Sequence, residues 1–369
     1  MLPTRLRPNR GLAAIGLAAL CGCQPAPPIE VAFIGSPSGR ATELAIDGRD
    51  GAELAVETLN ARSGPRYELR LHDDAHAVTS AVGAVDAAAD EGAAFAIGPM
   101  TSVDAKAMVG EAARRRLVLI SPTANIDDLR GLDDYFFRMS PSAGEGAGQF
   151  AQAAIARGLR TAAVMTDSRN RGYSESFAKS FSTRFAALGG SLGTVAHDES
   201  SQKPDYAKLA ATLLATHPRV VLLICSAPDA AVVAQQLRRL DPGVQLEIAS
   251  WAANLKLLQL GGQAVEGALA LQALDLDSQA PAYTDFRTRF AARFGNQPSQ
   301  AAVFSYEAMM LGAEGLQRKA GEQSLRDALR APGNWPGLQQ PIVLDRFGDS
   351  VRRFRLSEVR GGRFVMLAS

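Results

Sequence analysis

Several features that usually carry chemistry are scarce in the 369-residue sequence. It has three cysteines and four histidines, only 6% aromatic residues, and six lysines among its 39 basic residues. It lacks a nucleophile elbow, a phosphate-binding P-loop and a metalloprotease HExxH motif, so we do not expect an enzyme. The near balance of charge, +1 overall, gives no electrostatic basis for nucleic-acid binding.

The densest group of potential metal ligands is His72-Asp73-Asp74-Ala75-His76. This group spans the end of a predicted strand and the start of a helix, so its side chains are expected to diverge. Asp side chains in such a loop commonly accept hydrogen bonds from turn amides. We therefore expect no metal site and no cofactor.

Long hydrophobic runs are also lacking. The N-terminal apolar stretch, from Gly11 to Leu20, follows three arginines and has ten residues, whereas a membrane-spanning helix needs about 20. Such an arrangement is typical of a signal peptide. The next residues, Leu20-Cys21-Gly22-Cys23, resemble the lipobox of bacterial lipoproteins, which implies that residues 1–22 are removed and Cys23 is acylated. Residues 23–28 then form a short tether.

Processing would change the properties of the mature chain. It removes three arginines and no acidic residue, so the side-chain charge falls from +1 to −2. Besides the acylated Cys23 it leaves Cys225, so no intramolecular disulfide is expected. Cys225 ends an apolar run, which favours a buried strand position. In a Gram-negative cell, Gln24 after the lipidated cysteine favours anchoring in the outer membrane, on the periplasmic face of the envelope.

Beyond the tether, apolar runs alternate with amphipathic helical patterns, which predicts an α/β fold. Most of the runs lack polar alternation, as expected for parallel strands that are covered on both faces. Strand sets on either side of residue 142 predict two lobes, and residues 341–369 look like antiparallel strands with turns at Phe347-Gly348-Asp349 and Gly361-Gly362. The predicted strands are Ile29–Ile34, Tyr67–His72, Ala94–Ile97, Leu117–Ile120, Thr161–Thr166, Arg219–Cys225, Val244–Ala249 and Ala268–Ala273.

Polar residues cluster at the predicted carboxyl ends of two strands. Thr101 and Ser102 follow one strand, and Ser121, Thr123 and Asn125 follow the next. Ligands bind outside the carboxyl ends of strands in open α/β sheets, and hydroxyls at a helix start suit a carboxylate. Simple N-capping explains the same residue types equally well.

Short segments in a fixed order along almost the whole mature chain carry a family resemblance. The sequence resembles the branched-chain amino-acid-binding (Leu/Ile/Val-binding) family of periplasmic ligand-binding proteins. The matching segments are Ile34-Gly35-Ser36-Pro37-Ser38-Gly39, Asp50-Gly51-Ala52-Glu53-Leu54-Ala55-Val56, Asp73-Asp74, Ile97-Gly98-Pro99, Leu119-Ile120-Ser121-Pro122-Thr123-Ala124, Phe137-Arg138, Ala187-Leu188-Gly189-Gly190, Asp205-Tyr206, Val265-Glu266-Gly267, Tyr306-Glu307-Ala308 and Phe347-Gly348-Asp349.

The resemblance implies the type I periplasmic-binding-protein fold, with two Rossmann-like lobes joined by a three-segment hinge and a ligand held between them. Carried onto this sequence, the N-lobe comprises residues 29–142 plus 274–340. The C-lobe comprises residues 143–273 plus 341–369. A ligand that touches both lobes favours the closed population.

The same resemblance implies where a ligand would bind. First-lobe hydroxyls and amides that hold a carboxylate in the amino-acid binders map to Ser102, Thr123 and Asn125, with Thr101 and Ser121 beside them. In the second lobe the family's residues are replaced: its Tyr before Gly maps to Arg171, and a second aromatic maps to Ser226.

The largest departure is at Trp251, which occupies the position of the family's ammonium-binding acid. Because an ammonium buried without a countercharge is costly, a standard amino acid is not the expected ligand. Arg171 and Trp251 together suit a carboxylate with an aromatic or alkyl body. Two alternatives stay open. Trp251 packs at the hinge without contacting a ligand, or Arg171 is a solvated loop residue, with Arg169 beside it and Tyr173 able to supply the missing ring.

The expected function is that of a lipid-anchored solute-binding protein that captures a small organic molecule for an ABC permease, without catalysis and as a monomer. The alternative is an outer-membrane regulatory or scaffold lipoprotein that uses the fold for contacts with another envelope protein.

Overall fold

The computed structural model describes residues 26–37, 42–75, 77–198 and 204–367. Cys23, Gln24 and His76, together with the whole predicted signal peptide, lie outside these ranges. In the described part of the chain no helix is both long and apolar enough to cross a membrane.

The first lobe is built on a five-stranded parallel sheet. Its strands are β1 (Ile29–Ile34), β2 (Tyr67–His72), β3 (Ala96–Ile97), β4 (Leu119–Ser121) and β5 (Phe136–Arg138), in the order β2-β1-β3-β4-β5. Helices α1 (Thr42–Asn60), α2 (Val78–Asp90) and α3 (Ser102–Arg115) and a 3-10 turn (Asp127–Leu129) connect them. This order places the ends of β1, β3 and β4 side by side at the centre of the sheet.

The second lobe has a seven-stranded sheet. Its strands are β6 (Thr161–Asp167), β7 (Ser191–Asp198), β8 (Val220–Ile224), β9 (Gln245–Ile248), β10 (Leu269–Gln272), β11 (Arg355–Arg360) and β12 (Arg363–Met366). The order is β12-β11-β10-β9-β8-β6-β7, with β11 antiparallel to both of its neighbours. Its helices are α4 (Ala143–Ala156), α5 (Arg171–Ala187), α6 (Tyr206–Leu214), α7 (Ala227–Leu240) and α8 (Leu255–Gly261), with 3-10 turns at Ser168–Asn170 and Gly262–Val265.

Three further helices return to the first lobe: α9 (Pro281–Phe294), α10 (Gln300–Arg318) and α11 (Leu325–Arg330). Helices α1 and α10 pack against each other. A Cβ on Gly51 would lie 2.0 Å from the Ala302 carbonyl oxygen, so glycine is required there for the two backbones to meet. The chain thus changes lobe after β5, after β10 and before β11.

The C-terminal crossing lies later than the sequence predicts. The boundary at residue 341 is wrong, because the segment 342–352 is held on the first lobe by two buried ion pairs. Arg138 donates to Asp349 from its Nε, 2.7 Å away, and Arg352 lies 2.6 Å from Glu307. All four side chains are almost fully buried. Separating either pair would strand a charge in the interior, so the segment belongs to the first lobe up to that point.

The eight predicted strands are confirmed, with ends that move by one or two residues. Two strands, β5 and β7, were not predicted. The turn at Gly361-Gly362 is confirmed as the β11–β12 hairpin. The chain also turns at Phe347-Gly348-Asp349, where an antiparallel bridge joins Leu344 to Ser350, but the flanking residues form isolated bridges and not full strands. Cys225 is fully buried beside β8, as its apolar run predicts.

Candidate ligand-binding cleft

A cleft of about 810 Å³ lies between the lobes. Pockets for small molecules usually have volumes of about 300–1,000 Å³, so this cleft has the size of a small-molecule site. The residues that face it come from the starts of α1, α3, α5, α7 and α8, from the loop after β4 and from the turn before α10. Most of these segments follow the carboxyl end of a parallel strand, which is where open α/β sheets place their ligands.

Three of the predicted first-lobe residues line the cleft together: Ser102, Thr123 and Asn125. Ser102 is the first residue of α3 and is buried, as is Asn125. The Thr123 hydroxyl donates to the Met100 carbonyl, so in this conformation its oxygen is left as an acceptor. Of these three residues, the Ser102 hydroxyl and the Asn125 amide therefore offer side-chain donors for a carboxylate.

Two other predicted residues, Thr101 and Ser121, do not line the cleft. Thr101 caps α3: its Oγ1 accepts from the Asp104 amide at 3.2 Å and donates to the Asp104 carboxylate. The Ser121 Oγ donates to the Pro99 carbonyl at 2.7 Å and accepts from the Ala124 amide at 3.0 Å. Both hydroxyls are committed to shaping the loops that carry Ser102 and Thr123, which corrects their predicted role as ligand contacts.

An aromatic pair lies on the opposite wall. Tyr173 and Trp251 both line the cleft and pack edge to face, with ring centroids 6.2 Å apart. The Tyr173 hydroxyl lies 3.4 Å from the Ser250 Oγ, and burial raises the pKa of this phenol, which keeps it neutral. Tyr173 is thus a ring of the cleft wall, one of the two alternatives that the sequence left open. Such a pair presents apolar edges and faces to a ligand body.

The predicted cation of this wall, Arg171, faces away from the cleft. Its side chain is 65% exposed and lies 3.1 Å from Glu175 on the outer surface of α5. Arg169 lines the cleft instead. Arg169 lies at the 3-10 turn that precedes α5, whereas Arg171 is the first residue of that helix, and the two side chains leave the backbone in different directions.

Arg169 belongs to a closed polar network. It bonds to both oxygens of Asp167 and to Asp229, and the Asp229 carboxylate also accepts from Ser226 Oγ at 2.6 Å and from the Tyr206 hydroxyl. Asp167 is fully buried and Asp229 nearly so. The guanidinium is therefore already compensated by two carboxylates. Ser226 lines the cleft as predicted, but its hydroxyl caps α7 within this network.

The mouth of the cleft carries charges that the sequence had not singled out. Glu43 of α1 and Lys256 of α8 form an ion pair that joins the two lobes, and both side chains are about half exposed. Asp47 also lines the cleft, one helical turn further along α1. Burial raises the pKa of the Asp47 carboxyl, while a hydrogen bond from Ser299 opposes part of the rise.

A metal centre is not formed by the described residues, in which no group of three or more His, Cys, Asp or Glu side chains converges. Asn170, Gln272 and the segment 295–301 also line the cleft. No motif pointed to these residues, although Asn170 lies between the two arginines that the sequence had brought into consideration.

Comparison with known proteins agrees with this architecture. A family model for periplasmic binding proteins matches residues 28–363, so the chain belongs to the periplasmic binding protein family. Leu/Ile/Val-binding protein BraC3 of Rhizobium johnstonii is 22% identical over 348 residues, which cover 91% of this chain and 93% of that protein. The predicted family resemblance is confirmed.

Solved structures share the whole fold. The leucine-binding protein LivK of Thermotoga maritima superposes with a TM-score of 0.82 at 21% identity, covering 92% of this chain and 98% of that one. An ABC-transporter solute-binding protein of R. palustris in complex with benzoate superposes with a TM-score of 0.83 at 22% identity, covering 92% and 96%. The chain therefore has the predicted type I periplasmic-binding-protein fold.

Proposed function

We propose that this protein captures a small organic carboxylate with an aromatic or branched alkyl body and passes it, without catalysis, to an ABC permease. One observation carries the proposal: the cleft sets hydrogen-bond donors at the start of α3 and after β4 opposite the Tyr173–Trp251 pair. The donors suit a carboxylate, and the aromatic wall suits an apolar body.

The second-lobe charges do not alter this choice. Arg169 is held by Asp167 and Asp229, so it adds no uncompensated cation for a second anionic group. The two carboxylates share this one guanidinium, so the network carries a net charge of −1, and the oxygens of Asp229 are already hydrogen-bonded to Arg169, Ser226 and Tyr206. The assignment of a carboxylate ligand therefore rests on the first lobe. Arg171 does not contribute to it, because its side chain does not line the cleft.

The structural neighbours are consistent with this ligand class. Leucine and benzoate, which are named for two structures of the same fold, are both carboxylates with an apolar body. The fold therefore accommodates this chemistry.

Calorimetry with two series of compounds tests the proposal, and the members of each series share one carbon skeleton. 4-Methylpentanoate, 2-hydroxy-4-methylpentanoate and leucine differ only at the carbon next to the carboxylate, and 3-phenylpropanoate, 3-phenyllactate and phenylalanine form the aromatic series. We expect members without the amino group to bind more tightly than the amino acids. Tight leucine binding, or no binding by any carboxylate, would overturn the proposed ligand class.

We further propose that Cys23 is acylated and anchors the protein to the outer membrane on its periplasmic side. The lipobox and Gln24 support this placement. In cells that express Cys23→Ser, the protein is expected in the soluble periplasmic fraction, and the wild-type protein in the outer-membrane fraction. Equal solubility of both proteins would contradict the anchor. An outer-membrane location also favours the alternative function, that of a regulatory or scaffold lipoprotein. Failure of the protein to bind any of these carboxylates would support that alternative.

A further inference from the structure

Asn170 is the buried cleft residue whose hydrogen bonding is incomplete. It lines the cleft and is only 6% exposed. Among the residues that the structure describes, none donates a hydrogen bond to its Oδ1. A buried acceptor without a donor is unfavourable, and buried polar groups that stay unpaired in a folded protein call for an explanation.

Helix capping does not explain Asn170. The residue stands at the N-cap of α5, a position where asparagine usually accepts a hydrogen bond from the first turn. No such bond is made here. The caps of other helices around the cleft do make it: Thr101 at α3, Ser226 at α7 and Asn254 at α8. The Asn170 side chain therefore does not make the capping hydrogen bond that is usual at this position.

The packing of the lobes places Asn170 near the polar end of the cleft. The first turns of α5 and α3 meet across the lobes: a Cβ on Gly172 would lie 3.4 Å from Val103 Cγ2 and 3.6 Å from the Ser102 carbonyl carbon. Since Asn170 directly precedes this turn, the residue lies at the same end of the cleft as Ser102, the proposed carboxylate donor.

From this arrangement we infer that Asn170 is a specificity-determining residue, whose Oδ1 accepts a hydrogen bond from an uncharged donor next to the ligand's carboxylate. The preferred ligands are then 2-hydroxy acids or carboxylates with an amide N–H at that position. A neutral amide oxygen satisfies a hydroxyl or N–H donor, but it leaves the charge of a buried ammonium largely uncompensated. This inference rests on the proposed function, because it names the second polar group of the same ligand.

The test uses the carbon skeletons introduced above. In calorimetry with the full mature chain, 2-hydroxy-4-methylpentanoate is expected to bind about 3- to 10-fold more tightly than 4-methylpentanoate. The same advantage is expected for 3-phenyllactate over 3-phenylpropanoate. In Asn170→Ala the advantage should vanish. Asn60→Ala is the matched control: its amide lies outside the cleft, where Nδ2 donates to the Tyr67 carbonyl at 2.9 Å and Oδ1 accepts from the Tyr67 amide at 2.8 Å, so its loss should lower stability and leave the hydroxyl advantage unchanged.

Asn170→Leu separates a ligand contact from a structural role. It fills a similar volume without a polar group, so the unliganded variant should melt at the same temperature as the wild type or higher, while the hydroxyl advantage is lost. A lower melting temperature, a hydroxyl advantage that survives in Asn170→Ala or Asn170→Leu, or none in the wild type would overturn this inference alone. Absence of binding by every carboxylate would overturn the proposed function and this inference with it.

Discussion

The two walls of the cleft are built on different principles. The first-lobe wall leaves donors available, because the hydroxyls that shape its loops, those of Thr101 and Ser121, are not the ones that face the ligand. The second-lobe wall holds Asp167 and Asp229 on the one guanidinium of Arg169 and exposes aromatic surface beside this network. One wall is thus equipped to choose a functional group, and the other to choose a shape. This distinction can be tested with variants of each wall, by measuring whether a substitution changes the stability of the protein, its affinity for the ligand, or both.

The largest effect is expected in the second-lobe network. Arg169→Met leaves Asp167 and Asp229 buried without their cation, which should lower the free energy of unfolding by about 3–5 kcal/mol. Urea unfolding at pH 7 measures the change. The control is Arg171→Met, two residues along the chain: its exposed pair with Glu175 is worth about 0.5 kcal/mol or less. Equal losses in the two variants would show that the network is not what holds this wall.

In the first-lobe wall we expect a smaller effect, on ligand affinity and not on stability. Ser102→Ala removes a donor to the proposed carboxylate, so affinity for 4-methylpentanoate should fall about 10-fold or more, since a hydrogen bond to a charged group is worth about 1.5–3 kcal/mol. Calorimetry gives the affinity and thermal unfolding the stability, which should change little.

The neighbouring Thr101→Ala is the control for that experiment. It removes a helix cap and should cost about 1 kcal/mol of stability, with affinity within about twofold of the wild type. If Thr101→Ala weakened ligand binding more than Ser102→Ala, the assignment of the two hydroxyls would be reversed.

The core behind the second-lobe wall holds a carboxyl group that lacks such pairing. Glu247 on β9 is fully buried, and no described residue bonds to either of its oxygens. Burial raises its pKa well above the ordinary value of 4.5. Between 4.5 and the raised pKa the folded protein binds the extra proton, so the stability present at low pH is lost as the pH rises through the folded pKa.

Glu247→Gln should remove that dependence and leave the protein about 1–2 kcal/mol more stable at pH 8. Unfolding free energies from pH 4.5 to 8 measure it, with the difference between variant and wild type isolating this one group. Parallel curves for the two proteins over that range would show that Glu247 does not titrate there.

Sequence reasoning succeeded where a residue's environment is set by its own segment. The strand β8 is predictable because all five residues are apolar and buried between two helical layers. It failed at β7, which mixes polar and apolar residues as an edge strand, and at β5, which has only three residues and contains the buried Arg138. Neither strand has the uniformly apolar pattern of a covered parallel strand.

In the cleft, too, the sequence predicted what is set within one segment and did not predict what depends on tertiary contacts. The loops that meet there were predictable from the carboxyl ends of the strands, and six of the nine proposed side chains line the cleft. The sequence did not predict which of two neighbouring residues in a loop faces the cleft. Each helical residue turns by about 100° relative to the one before it. A shift of one residue therefore exchanges Thr101 with Ser102, and a shift of two exchanges Arg169 with Arg171. The phase of each helix depends on caps and 3-10 turns, which are set by tertiary contacts.

The smallest expected effect concerns the ion pair that joins the two walls at the mouth. Lys256→Gln removes the link to Glu43, which forms only when the lobes are close, so it should favour the open state slightly and weaken ligand binding less than about fivefold. Lys106→Gln is a close match, since that lysine is equally exposed and pairs with Asp128, but within one lobe. Affinity should change only in Lys256→Gln, and the change should disappear in about 0.5 M salt because exposed charges are screened. Equal effects of both variants would show that the pair across the mouth does not contribute to closure, and that the walls are brought together by the ligand and the hinge.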